Sequence, residues 1–262
     1  MSHHGHGSGI ASAAKAHRIL RFVLVGSPNC GKTTLFNALT GLRAKTGNYP
    51  GVTVARYEGR HRVGDADVII EDLPGAYSLE AISPDEEVVS QVLGEGISVG
   101  SPITGQIVLL DATSLRRSLT LLSHVQQVPR PTLVVLTFTD ELARRGGSVD
   151  IKALSRALGV RVIPIVAGDR AGVEELSEAL SEVDSWPAPI VAPPVGQGDV
   201  FSWSASVLEA ARYRAADTDR RSHGIDRVLL HPLWGTLVFF ATMFAFFQII
   251  FTVAAPINDA FE

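Results

Sequence analysis

One run of eight residues, Gly26-Ser27-Pro28-Asn29-Cys30-Gly31-Lys32-Thr33, restricts what this chain can fold into more than any other stretch. It follows the apolar, β-branched run 20–25 and opens the helix-like pattern 32–39, so a glycine-rich loop joins a buried strand to a helix N-terminus. Backbone N–H groups in such a loop can wrap phosphate oxygens. Lys32 can reach the β- and γ-phosphates, the Thr33 hydroxyl can ligate Mg2+, and Thr34 extends the cradle into the helix.

The rest of the pattern agrees with that beginning. Buried strands are expected at 20–25, 68–71, 107–110, 133–136 and 160–166, with helical patterns at 32–39, 85–93, 115–125, 151–158 and 173–183 between them. Such alternation implies an α/β chain with a mostly parallel sheet and helices on both faces; with the phosphate-loop motif above and the switch elements below, the fold expected is that of a P-loop GTPase. Residues 55–63 alternate in polarity and suit an antiparallel edge strand beside the strand at Val68. Lys plus Arg number 23 against 27 Asp plus Glu, a net charge of -4, so no overall basic field is available for nucleic-acid phosphates. The single cysteine, Cys30, excludes an internal disulfide and a multi-thiolate zinc site.

Further parts of a nucleotide switch follow in order. The apolar strand ending at Asp72 continues as Asp72-Leu73-Pro74-Gly75, where Asp72 can hold Mg2+ through water and the Gly75 N–H can meet a γ-phosphate. Between this element and the phosphate loop lies a Gly/Pro-punctuated loop, 47–53, in which Gly51 and Val52 lead to Thr53, a candidate second hydroxyl ligand to Mg2+. Base recognition is expected from the strand end Thr137-Phe138-Thr139-Asp140, where GTPases usually carry Asn-Lys-x-Asp. A carboxylate at Asp140 accepts from the guanine N1–H and N2–H groups and would be left unpaired against adenine. After the last strand, Val166 and Ala167 stand where the Ala167 N–H can donate to guanine O6. No glutamine follows Gly75; Ala76 does.

The two ends read differently. Residues 1–18 are small, polar and His-containing (His3, His4, His6, His17) and are expected to be a disordered tail, with 19–183 as the nucleotide domain. Residues 184–225 read as a Pro/Gly-rich linker with a short helical region, and 226–262 as a membrane-entry segment and helix. Residues 233–257 contain no Asp, Glu, Lys or Arg, which is long enough to cross a bilayer core of about 30 Å. Arg220, Arg221 and Arg227 on one flank, against Asp259 and Glu262 on the other, place residues 1–231 on the cytoplasmic side of the inner (plasma) membrane. A lone helix whose notable polar group is Gln248 does not enclose an ion path.

Several longer motifs resemble the ferrous iron transport protein B family: Gly47-Asn48-Tyr49-Pro50-Gly51-Val52-Thr53-Val54, Asp72-Leu73-Pro74-Gly75-Ala76-Tyr77-Ser78-Leu79, Ser83-Pro84-Asp85-Glu86-Glu87, Asp111-Ala112-Thr113, Asp140-Glu141 and Ile225-Asp226-Arg227-Val228-Leu229-Leu230-His231-Pro232. The resemblance implies a cytosolic GTPase domain, a helical domain that slows GDP release, and a multi-helix domain passing Fe2+. It also implies that Asn29 helps hold a K+ ion against the phosphates. Its implied cofactors are Mg2+, GTP or GDP, and K+. Its implied partners are membrane lipid, the remaining permease helices or a small accessory iron-transport protein, and further copies of the chain, with no nucleic acid. Set against the family, the helical domain between 183 and 225 is expected to be much reduced and the chain to stop after one membrane helix. Two other readings stay open on sequence: an RNA- or ribosome-associated GTPase, and a membrane-tethered protein that holds guanine nucleotide without turnover.

Overall fold

The computed structural model describes residues 18–42, 44–49, 52–64, 66–79, 83–98, 101–189, 192–194, 196–216 and 229–259. The histidines of the N-terminal tail, Gly51, and the basic flank at Arg220, Arg221 and Arg227 lie outside them. The chain divides into two units, Met1–Ala215 and Ala216–Glu262.

In the first unit nine strands and seven helices are described: β1 (Arg18–Gly26), α1 (Lys32–Thr40), β2 (Ala44–Asn48), β3 (Ala55–Val63), β4 (Ala66–Asp72), α2 (Pro84–Glu95), β5 (Ile97–Ser98), β6 (Ser101–Pro102), β7 (Gly105–Asp111), α3 (Leu115–Val125), β8 (Thr132–Thr137), α4 (Thr139–Arg144), α5 (Ile151–Leu158), β9 (Arg161–Ile165), α6 (Arg170–Ser181) and α7 (Gln197–Ala210). Seven strands form one sheet in the order β2-β3-β4-β1-β7-β8-β9, and β5 and β6 pair separately. Strands β4, β1, β7, β8 and β9 run parallel. The sequence alternation implied this arrangement, because parallel neighbours need a crossover and the helices supply it.

Strand β1 is central and apolar on both faces, as expected for a strand covered by helices above and below. Leu20, Phe22 and Leu24 belong to a cluster with Leu35, Phe36 and Leu39 of α1 and Leu176, Ala179 and Leu180 of α6. The alternate residues Val23 and Val25 are equally buried and point to the opposite face, where α3 lies against β7. Trp186, within the stretch whose composition suggests a linker, is buried in the first cluster with its ring 5.5 Å from Phe22, and its indole N–H donates to the Ala179 carbonyl at 2.8 Å. Helix α7 packs on α3 and α5.

One expectation needs correction. Strand β3 does pair antiparallel with β4, but it is not the edge, because β2 pairs outside it from Ala44↔Gly59 to Asn48↔Ala55. The residues of β2, AKTGN, are all exposed and carry no alternating apolar pattern, so only backbone pairing makes this segment a strand. Gly47 and Asn48, read as loop, belong to it.

In the second unit α8 (Pro232–Asp259) is a single long helix. Its first turn is capped by His231, whose Nδ1 accepts from the N–H groups of Leu233 at 3.2 Å and Trp234 at 3.4 Å. Residues Pro232–Thr252 have a mean hydropathy of 1.9, and none of their most apolar stretch is buried by the chain itself. The Thr236 and Thr242 hydroxyls donate to carbonyls one turn back, so these two side chains satisfy themselves along the helix.

Gly59 offers a test of the β3–α1 packing. A Cβ added there would overlap the Thr40 side chain and lie 3.0 Å from Phe36 Cζ, whereas one added at Gly47 would meet nothing. Gly59→Ala should therefore destabilise the protein by about 1–3 kcal/mol in denaturant unfolding. Gly47→Ala should stay within about 0.5 kcal/mol.

Candidate functional site

The carboxyl ends of β1, β4, β8 and β9 meet at the place where an open parallel sheet most often builds its ligand site. In the loop after β1, Asn29 and Gly31 both take left-handed backbone conformations, φ 62° and 93°. Gly31 tolerates this without strain and lets the chain turn directly into α1. As N-cap of α1, Gly31 brings no side chain to the first-turn N–H groups, and that turn carries no acidic residue. The N–H groups of Lys32, Thr33 and Thr34 are thus left for an anion. Lys32 is almost buried and folds back toward the Gly26 carbonyl, with Nζ at 3.4 Å. Ser27 is buried, its carbonyl accepting from the Cys30 N–H at 3.3 Å, while Pro28 and Asn29 are exposed. Burial pushes the Cys30 thiol pKa up, against the pull of Lys32, so this cysteine is a packing residue rather than a thiolate.

The segment after β4 closes on this loop. The Leu73 N–H donates to Leu24 O and the Ala76 N–H to Gly26 O, each at 3.2 Å, while a Cβ on Gly75 would sit 3.0 Å from Pro28 backbone atoms. Only a glycine lets the two segments approach so closely. Pro74 beside it is half-buried. The Thr33 hydroxyl donates to Asp72 Oδ2 at 3.3 Å, and Asp72 Oδ1 is buried without a partner. Burial raises the Asp72 pKa; Lys32 and the Thr33 hydrogen bond oppose the shift. A buried, half-satisfied carboxylate beside a hydroxyl suits a hydrated divalent cation, so the residues present fit Mg2+.

Across the loop, a small cavity of about 90 Å3 is lined by Gly31, Thr34, Thr137, Phe138, Val166 and Ala167, among others. This slot is far smaller than the roughly 300–1,000 Å3 that encloses a whole small molecule. The Thr137 hydroxyl lies 2.9 Å from Cys30 O and 3.2 Å from Leu110 O. It therefore ties the strand end to the phosphate loop. Phe138 caps α4 with φ 58° and Asp140 sits in the first turn of that helix, exposed and outside the lining of the slot.

Not every candidate converges. Thr53 is exposed in the β2–β3 connection and makes no hydrogen bond to the loop or to Asp72. The Val52 N–H donates to Tyr49 O at 3.3 Å, turning the connection back on itself.

A buried polar cluster behind the site escaped sequence reasoning. Glu71, fully buried, accepts from the Tyr49 hydroxyl at 2.8 Å, from the Ser98 hydroxyl and from Arg21 Nη1 at 3.4 Å. Arg21 also reaches Glu58 at 3.1 Å. Burial, and then Glu71 beside it, drive the Tyr49 pKa far up, so the phenol stays a donor. The available signal was a second acid, Glu71, inside the apolar run before Asp72; a buried carboxylate needs partners.

Comparison with known proteins agrees with this geometry. The family described as ferrous iron transport protein B matches residues 20–180. The Fe(2+) transporter FeoB of Leptospira biflexa is 42% identical over 166 residues, which cover 62% of this chain and 23% of that protein. An Fe(2+) transport protein A/Fe(2+) transporter FeoB fusion protein of Porphyromonas gingivalis is 35% identical over 175 residues, 67% of this chain and 20% of that one. The chain thus spans less than a quarter of the length of either relative. The crystal structure of the cytosolic domain of the T. maritima FeoB iron transporter in GMPPNP form superposes with a TM-score of 0.61 at 28% identity, covering 83% of this chain and 84% of that one. With a P-loop GTPase fold and a family match over most of its length, the chain belongs to the ferrous iron transport protein B family.

Proposed function

We propose that this chain binds and hydrolyses GTP as the cytosolic switch of a ferrous-iron permease, with α8 as its first membrane helix. The observation that carries the reading is the meeting of Thr33, the unpartnered Asp72 Oδ1 and the uncapped α1 N-terminus at one sheet edge. Residues 19–183 form the nucleotide domain, 184–225 a linker with a reduced helical region, and 226–262 the membrane-entry segment. A solved relative in GMPPNP form supports nucleotide binding, and a relative fused to transport protein A supports a small accessory partner.

In this reading the loop amides from Gly26 to Thr34 and the Lys32 ammonium take up charge on the β- and γ-phosphates while water attacks in line. The Gly75 N–H meets the γ-phosphate, with Leu73 and Pro74 setting its position. Thr33 and, through water, Asp72 hold Mg2+, which when bound neutralises phosphate charge. Thr53, in the β2–β3 connection, would add a second hydroxyl to that ion's ligands. Since Ala76 stands where a water-orienting glutamine is otherwise found, unaided turnover is slow. The Asn29 side chain is exposed with no hydrogen-bond partner among the described residues, which leaves its amide oxygen for a K+ ion. Asp140 and the Ala167 N–H read guanine, with Thr137 and Val166 lining the slot.

Three measurements test this reading. GTP should bind at least about tenfold tighter than ATP, and Asp140→Asn should shift preference toward xanthosine triphosphate; equal binding of ATP and GTP sinks the base assignment. Single-turnover phosphate release should be about tenfold or more faster in K+ than in Na+ at equal ionic strength. Asn29→Ala should erase that difference while nucleotide binding survives, and identical rates in both salts for the unaltered chain refute the potassium role. Finally, the full chain should require detergent while a chain ending at His231 stays in a high-speed supernatant; a soluble full chain removes the membrane assignment.

A further inference from the structure

A broad concavity in the first unit lies away from the phosphate loop, between α3 and α7, with a volume of about 1210 Å3. That exceeds the roughly 300–1,000 Å3 of small-molecule pockets and suits a segment of polypeptide. Leu115, Val200 and Leu208, all buried, give it an apolar floor. Phe201 stands on the rim 63% exposed, with the Arg116 guanidinium 4.9 Å from its ring centre. Four arginines (116, 117, 212 and 214) line the groove against one acid, Glu209, in a chain whose net charge is -4. All four are exposed, and none forms an ion pair with another described residue.

The wall that carries Arg212 and Arg214 is preorganised. The Tyr213 hydroxyl donates to Ala112 O at 3.0 Å, and Arg214 exchanges two backbone hydrogen bonds with Ser148, at 2.8 and 3.0 Å. The opposite wall reaches the nucleotide site: Arg117 lies 5.8 Å from the ring centre of Tyr77, two residues beyond Gly75. A γ-phosphate that draws on Gly75 would move the ring that faces Arg117.

We propose that the α3–α7 groove docks an acidic amphipathic segment of a partner protein, and that the nucleotide state sets its affinity through Tyr77 and Arg117. Exposed guanidinium groups above an apolar floor match carboxylates flanking an apolar anchor, since guanidinium and carboxylate pair through two parallel hydrogen bonds. A concave site between two helices suits a helix or extended segment better than a layer of lipid headgroups. The docking itself is independent of turnover; the nucleotide dependence rests on the GTP-switch reading.

The test uses the full chain in neutral detergent. The probe is a short fluorescent amphipathic peptide with glutamates on one face and leucine and phenylalanine on the other, alongside its lysine counterpart. We expect the acidic peptide alone to bind, less tightly as salt rises. The Arg116→Glu/Arg212→Glu double variant should bind it about tenfold more weakly while GTP hydrolysis stays unchanged. Affinity should differ between GDP and a non-hydrolysable GTP analogue. Equal binding of both peptides, or no effect of charge reversal, overturns the proposal. So does a charge reversal that weakens association with micelles doped with phosphatidylglycerol but not with the peptide. Equal affinity in both nucleotide states overturns the coupling, while phosphate release, measured separately, judges the GTPase reading.

Discussion

The parallel pairing of β1 with β4 is the constraint on which the site depends. Its register sets Leu24 opposite Asp72, so the chain leaves both strands at the same level of the sheet. The loop after β1 and the segment after β4 then have no room to diverge. Their mutual hydrogen bonds and the contact of Gly75 with Pro28 follow, as does the meeting of Thr33 with Asp72. A one-residue slip would turn the Leu20, Phe22 and Leu24 face away from α1 and α6 and bury the wrong side chains. Apolar packing thus fixes the position of a polar site.

Behind the site, charge is handled differently. The cluster of Arg21, Glu58, Glu71, Tyr49 and Ser98 occupies buried or half-buried positions where an isolated charge would be costly. It holds together because each member satisfies another; removing one partner would leave an uncompensated group. Tyr49 also anchors the turn that carries Thr53, through its backbone hydrogen bonds with Val52 and Val54. The connection expected to respond to nucleotide therefore has one end tied into the sheet beside Asp72 and an exposed hydroxyl beyond it.

The second unit obeys other rules. Over Pro232–Thr252 the mean hydropathy of α8 is 1.9, so by length and composition it is long and apolar enough to cross a membrane. Its Thr236 and Thr242 hydroxyls and its His231 cap satisfy polar groups within the helix itself.

Local rules sufficed for much of this protein. The glycine-rich loop between strand and helix, the buried strands and their helices, and the aspartate ending β4 are all visible as short-range patterns, because each depends on period and spacing within a few residues. What only tertiary structure decided lacks a local signal. Strand β2 has no apolar alternation and exists through pairing with β3 alone. The Glu71 cluster unites residues from five separate segments, Trp186 joins a core that includes strand residues far from it in sequence, and the arginine-rimmed groove assembles α3 with the end of α7. Asp140 and Thr53 could be named from motif order, yet whether they face the slot or the metal is set by how α4 and the β2–β3 connection pack. Pairing partners and buried charges are properties of distance in space, which the order of residues along a chain does not carry.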